Sequence, residues 1–269
     1  MNEGSITRIT IIGCEILEDE IVYLIQNHPE IDNVVVLNNE DSESITRKLR
    51  DAGTGPKITM LERIDEESMD GLGGLVVIVW IKPMALHSDP DKLRDDVISS
   101  IRSIEPYSDS VMLFYGLCGN AFKKMSQLEA DFSIPILILK DPRGEIVDDC
   151  IGLVMGGSDE YLENLRKFSG TFFLTPMWAD NWRKMFNKVQ ILEDPDDIEG
   201  AKYVFDCVGY KRVVKLDTGL GEQPKFDDQV QEFAELFEFE FDCIPGRLDI
   251  VDNTFLEAKE ASKRGTEEG

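Results

Sequence analysis

Five cysteines and two histidines carry most of the metal-binding and nucleophilic chemistry open to this chain. Three of the cysteines and one histidine follow apolar, strand-like runs. Cys14 follows Ile9–Ile12, His87 follows Leu75–Ile81, Cys118 follows Val111–Tyr115, and Cys150 lies in the loop beyond Ile136–Leu139. In an open parallel sheet, ligands bind outside the carboxyl ends of the strands, so four residues far apart in sequence are expected to converge. Three thiolates and one imidazole suit zinc, and three thiolates alone can hold an iron–sulfur cluster with one open iron. No CxxC pair is present, and the competing reading is of free cysteines packed as small buried hydrophobes. Gly116 and Gly119 flank Cys118 and permit the backbone to approach a ligand closely.

The other chemistry-bearing residues read more plainly. Cys207 and Cys243 lack a comparable setting and are assigned to packing, and His28, in Asn27-His28-Pro29, to the end of a helix. Gly71-Leu72-Gly73-Gly74 precedes a strand instead of following one, so it is no dinucleotide fingerprint. Gly156-Gly157-Ser158 is read first as a helix start capped by Ser158 or Asp159, and second as an anion site. Trp178 and Trp182, four residues apart, suit a core face, with a floor for a planar ligand as the rival reading. Two histidines give no basis for a Ser-His-Asp arrangement.

Around these residues, strand and helix signals alternate. Val34–Leu37 is a further strand, and helical faces are marked by Ile16, Leu17, Ile21, Leu24 and Ile25, by Ile45, Leu49 and Ala52, and by Leu93, Val97, Ile98 and Ile101. Five strands interleaved with helices imply right-handed crossovers and an α/β fold with a mainly parallel sheet flanked by helices. The second half is less regular. It carries one clear strand, Phe172–Leu174, and two helical patterns, so residues 1–258 are read as one domain of two lobes with a division near 157. Residues 259–269, rich in Lys, Glu and Gly, read as a disordered tail.

The 28 basic residues face 53 acidic ones, a net charge of −25, which disfavours binding to a phosphate backbone or an anionic membrane. An acidic N-terminus and scattered, odd-numbered cysteines point to a reducing cytoplasm, with no spanning segment and no disulfide framework.

The motifs Ile12-Gly13-Cys14-Glu15, Leu86-His87-Ser88-Asp89-Pro90, Tyr115-Gly116-Leu117-Cys118-Gly119 and Asp148-Asp149-Cys150-Ile151 occur in this order. Gly170–Thr175, Trp178, Asp217-Thr218-Gly219 and Pro245-Gly246 follow. Together they resemble an uncharacterised domain family of methanogens and anaerobic bacteria, often encoded beside corrinoid-dependent methyltransferases for methylamines and related compounds. The resemblance runs to about residue 255 and carries Cys14, His87, Cys118 and Cys150 as shared positions. It departs at Met177, where glycine is usual, and at Lys140–Val147, which is lengthened. The family brings no established activity, but its setting and the four candidate ligands together point to a metal–thiolate protein in methyl transfer or corrinoid metabolism, holding zinc or an iron–sulfur cluster, with a corrinoid as a further candidate. On this reading Glu15 or Asp149 would orient a ligand, and Trp178 would floor a planar cofactor. The alternatives are a non-catalytic accessory protein for a methyltransferase or corrinoid protein, and a structural metal or simple buried cysteines behind a protein–protein surface.

Overall fold

The computed structural model describes residues 6–53, 56–188, 194 and 196–267, without the side chains of Ala85, His87, Lys188 and residues 265–267. The first lobe runs β1 (Thr7–Cys14), α1 (Glu18–Asn27), β2 (Ile31–Leu37), α2 (Ser42–Asp51), β3 (Lys57–Leu61), α3 (Glu66–Met69) and β4 (Leu75–Lys82). It continues through α4 (Pro90–Ile104), β5 (Ser110–Phe114), α5 (Met125–Glu129), β6 (Ile136–Ile138) and α6 (Cys150–Met155). The second lobe comprises α7 (Ser158–Lys167), β7 (Thr171–Leu174), α8 (Pro176–Lys188), α9 (Ile198–Val208), β8 (Arg212–Asp217), α10 (Gln223–Phe237) and β9 (Glu240–Pro245). A last helix, α11 (Asp249–Glu267), returns to pack on β1, β5 and β6.

The first sheet has the order β3-β2-β4-β1-β5-β6, and every pairing in it is parallel. This confirms the α/β fold with a parallel sheet flanked by helices. Val76–Val79 of β4 are wholly buried, as befits a strand covered on both faces. Burying each such side chain is worth about 1.5–3 kcal/mol, so this unbroken apolar run outweighs any local preference in placing β4 near the centre.

The topology matters for the site. From β1 the chain leaves towards β2 and β3 on one side, and from β5 it leaves towards β6 on the other. Neighbouring strands with outgoing connections in opposite directions open a crevice beyond their carboxyl ends. Cys14 ends β1, and Cys118 follows β5.

The second sheet, β7-β8-β9, is also parallel, and its core is aromatic. Phe172 stacks on Phe233 with ring centroids 5.3 Å apart, and Phe205 meets Phe237 edge-on at 4.7 Å. Trp182 belongs to this core, as its spacing predicts.

Several expectations need correction. β3 lacks an apolar run because none of its residues is fully buried, and it is held by pairing to β2. β8 and β9 also escape the sequence reading. Lys215 interrupts β8 but is buried against Asp227 at 2.5 Å, and β9 is an almost wholly exposed edge strand. Cys207 and Cys243 are exposed and do not pack, because one lies on the outer face of α9 and the other on that edge. The tail expected after 258 is helical through Glu267. Ala258 and Ser262 continue the buried stripe of Val251 and Phe255, too small to register as a hydrophobic face by composition. α7 is capped by the backbone of Gly157, not by Ser158 or Asp159; the Ser158 hydroxyl accepts from the Asp148 amide at 3.2 Å. Among the described residues, no helix is long and apolar enough to cross a membrane.

Candidate functional site

Each element that carries a candidate residue has a local reason for its position. β1 delivers Cys14 to the sheet edge, where Gly13 is needed: a Cβ there would lie 3.0 Å from both Ile21 Cδ1 and Phe114 Cβ. After β5 the chain turns sharply, with three successive residues at positive φ: Cys118 at 44°, Gly119 at 69° and Asn120 at 72°. Glycine and asparagine adopt this region readily. For cysteine it is uncommon and strained, and such strain concentrates at functional sites.

The segment beside this turn is fixed by main-chain pairing. The amides of Leu117 and Cys118 donate to the carbonyls of Val147 and Asp148 at 2.8 and 3.0 Å. Only glycine fits at 116, since a Cβ there would lie 2.4 Å from the Val147 carbonyl oxygen and 2.9 Å from the Asp149 nitrogen. Asp149 then caps α6, its Oδ1 accepting from the Ile151 and Gly152 amides at 2.9 and 2.8 Å. That cap places Cys150 at the first position of α6. Segment 140–147 is a small antiparallel turn, with Lys140 bridged to Ile146.

The result is a cavity of about 200 Å³ lined by Cys14, Cys118, Asp149, Cys150, Trp178 and Met185, among others. Three cysteines spread over more than half the chain therefore meet, as their strand-end positions imply. Trp178 reaches them from the second lobe and donates from Nε1 to the Cys150 sulfur at 3.2 Å. Met185 sits two turns further along α8 on the same face, a spacing of seven residues that the sequence reading could have noticed.

Of the remaining candidates, Glu15 has both oxygens engaged. Oε1 accepts from Lys184 Nζ at 2.6 Å and Oε2 from the Met84 amide at 3.3 Å. It therefore ties α8 to the 3-10 turn Met84–Ser88, which carries His87. The side chain of His87 lies outside the described residues. Lys82, unremarked in sequence, is buried at the end of β4 in register with Cys14 and pairs with Asp96 at 2.9 Å, fixing α4 to the sheet. The general signal for it is a lysine closing an otherwise apolar strand.

Electrostatics in the cavity oppose thiolate. Burial pushes the Cys14, Cys118 and Cys150 thiols up, Cys118 to about 12. Neighbouring negative charge adds to this: Cys118 on Cys14, Asp149 on Cys118, and Asp149, Cys14 and Cys118 on Cys150. Hydrogen bonds from the Ile16 amide to Cys14 and from Trp178 to Cys150 work in the other direction but do not win. Burial likewise raises Asp149, against the pull of its two amide donors. Among the described residues, no group of three or more Cys, His, Asp or Glu is already arranged to hold a metal ion.

The carboxyl ends of the second sheet face the first lobe here. Besides Trp178 and Lys184, Met177 Sδ lies 2.8 Å from Lys48 Nζ, and the Arg247 amide donates to the Val154 carbonyl at 2.7 Å. A larger cavity of about 460 Å³ opens elsewhere in the same cleft, among Asp19, Lys48, Asp180 and Lys225. It contains no thiol, so its size does not make it the better candidate for thiol chemistry.

A solved structure of an N-acetyl-L-ornithine transcarbamylase mutant aligns with 86% of this chain and 67% of its own, at 11% identity and a TM-score of 0.18. Likeness at that level carries no argument. Among curated proteins, no sequence match is found. Residues 81–255, which include Cys118, Cys150 and Trp178, match the family described as "Protein of unknown function (DUF1638)", and the chain belongs to that family.

Proposed function

We propose that the three-cysteine cavity is a metal–thiolate centre serving methyl transfer or corrinoid metabolism, the setting implied by the resemblance to proteins encoded beside corrinoid-dependent methyltransferases in methanogens and anaerobes. The observation that supports it is the meeting of Cys14, Cys118 and Cys150 in one cavity at the point where the sheet's connections diverge. Held neutral by burial, the three thiols pack without cost, but a cation entering among them would displace their protons and offset the repulsion between the thiolates that result. The donor set suits zinc, or an iron–sulfur cluster with one non-cysteine position. His87 is the candidate fourth ligand. Since the sulfurs are not already arranged as a ligand set, the side chains must turn inwards when a metal enters.

In this reading Cys14, Cys118 and Cys150 bind the metal. Trp178 stabilises negative charge on the Cys150 sulfur, and Asp149 holds the start of α6 in place. A bound zinc would supply a lowered pKa to a substrate thiol. With its proton passed to solvent, that sulfur would bond to the methyl carbon as the bond from carbon to the donor breaks, the donor keeping the electron pair. At about 200 Å³ the cavity falls below the range usual for even drug-sized ligands, so a corrinoid enters this reading on a partner protein. The same smallness favours, as a second reading, an accessory protein that holds a metal for a methyltransferase without acting on substrate. Five free cysteines suit the reducing cytoplasm in which either role is played.

The test is metal and sulfide analysis of anaerobically purified protein and of Cys118→Ser. Near-stoichiometric zinc supports thiolate activation, and iron with labile sulfide supports a cluster; loss of either in the variant supports the site. Unchanged metal with a lowered urea midpoint, the result for a merely buried residue, overturns it. Methyl transfer with a purified corrinoid partner separates enzyme from accessory protein.

A further inference from the structure

A third cavity, about 420 Å³, lies on the other side of the strained turn that carries Cys118. Its apolar wall is formed by Ile98 of α4 and by Phe122, Met125 and Leu128. Phe122 is itself wedged against Tyr115 at the end of β5, with ring centroids 5.4 Å apart. Asn120, the last of the three positive-φ residues, also lines the cavity.

The charge at its mouth runs against that of the chain. Lys123 and Lys124 are exposed there, and among the described residues neither has a carboxylate within ion-pairing distance. Arg94 also lines the cavity, but Asp91 and Asp95 engage its guanidinium at 2.8 and 3.2 Å. Asp131 is the one carboxylate on the wall. A protein of net charge −25 thus presents an apolar hollow with two adjacent, uncommitted ammonium groups at its rim. Exposed cations favour anions modestly, and an apolar body gains by leaving water; the two demands together select an amphipathic acid.

We infer that this cavity binds a small amphipathic anion, an apolar body bearing a carboxylate, sulfonate or phosphate that meets Lys123 and Lys124. The inference stands apart from the metal reading, since neither lysine touches the thiol cavity. A ligand seated here would press on the turn at Cys118–Asn120, and so on the geometry of the Cys118 sulfur.

The test uses 8-anilinonaphthalene-1-sulfonate and its uncharged parent, N-phenyl-1-naphthylamine, with the methyl group of Met125 as an NMR locator. The sulfonate is expected to bind at one equivalent, shift the Met125 methyl and weaken with added salt. Lys123→Glu/Lys124→Glu should weaken it about tenfold, which corresponds to 1.4 kcal/mol, and change the uncharged dye less than about twofold. Both substitutions are on the surface, so unaltered circular dichroism is expected. Absence of saturable binding at Met125, or equal sensitivity of the two dyes to the charge reversal, overturns the proposal.

Discussion

Trp178 of the second lobe donates its indole N–H to the sulfur of Cys150 in the first, across 3.2 Å. This bond is a direct side-chain link between α8 and the thiol cavity, and it makes the emission of Trp178 a reporter for that cavity. Removing the donor in Trp178→Phe should cost about 1–2 kcal/mol, part hydrogen bond and part lost packing. Metal titration should change the emission of wild-type protein, and the change should vanish in Trp178→Phe and in Cys150→Ser. A full response from either variant would place the metal elsewhere.

Cys118 offers a different handle. Its φ of 44° is comfortable for glycine and strained for cysteine by about 1–2 kcal/mol. Cys118→Gly should therefore lose little stability, the relief of strain offsetting the lost side-chain burial, while bound metal falls sharply. An unfolding free energy in urea more than about 2 kcal/mol below wild type would show that packing, not ligation, keeps cysteine there.

At Gly116 the expectation is the reverse, because there is no space for a methyl group. Gly116→Ala forces a Cβ to within 2.4 Å of the Val147 oxygen, so the pairing of 117–118 with 147–148 must open. The cost should be about 2–3 kcal/mol by chemical denaturation. It should be joined by weaker metal binding, since Cys118 lies within that pairing and Cys150 follows two residues beyond it.

Lys48 lies between two carboxylates, 2.7 Å from Asp19 Oδ1 and 3.2 Å from Glu18 Oε2. Burial disfavours its ammonium, but Asp19 and Glu18 outweigh that and hold its pKa above the ordinary value. Glu18 is fully buried, so Lys48→Met strands its charge and should cost roughly 3 kcal/mol near neutral pH. Burial also pushes the Glu18 carboxyl up, despite Lys48 and Ser44. The loss should therefore shrink in acid, where Glu18 takes a proton. A loss independent of pH would mean that Lys48 acts through its stem alone.

Glu20 makes stability depend on pH in an unusual direction. Burial, with help from Asp19, raises its carboxyl from 4.5 to about 8. The folded chain therefore holds this proton more tightly than the unfolded one. Its contribution is whole below about pH 4.5 and is lost as pH rises through about 8. Glu20→Gln should flatten the fall in stability across that window by up to one proton, or about 1.4 kcal/mol per pH unit at the steepest. Parallel profiles for wild type and variant would refute this.

Legibility in the sequence followed burial. β1, β4 and β5 announce themselves as apolar runs because both faces are covered, and those three strands set the edge at which Cys14 and Cys118 stand. β3 and β9 do not, because their side chains are largely outside the core and only the neighbouring strand defines them. The end of α11 is hidden in the sequence for a related reason: Ala258 and Ser262 are buried without being strongly hydrophobic. Glu15 ties α8 to the turn that carries His87, because Lys184 lies opposite it, a link between lobes that its sequence neighbours do not announce.

The sequence alone determined that Cys14, Cys118 and Cys150 would reach one edge. Strand direction is common to a parallel sheet, so residues that follow strands share an end wherever they fall in the chain. It could not determine that they share a cavity, that Trp178 closes it from another lobe, or that Cys118 occupies a left-handed turn. Those outcomes depend on which strands are neighbours and on how two sheets face each other. Both are decided by the packing of whole surfaces, in which no single residue's type or spacing is enough.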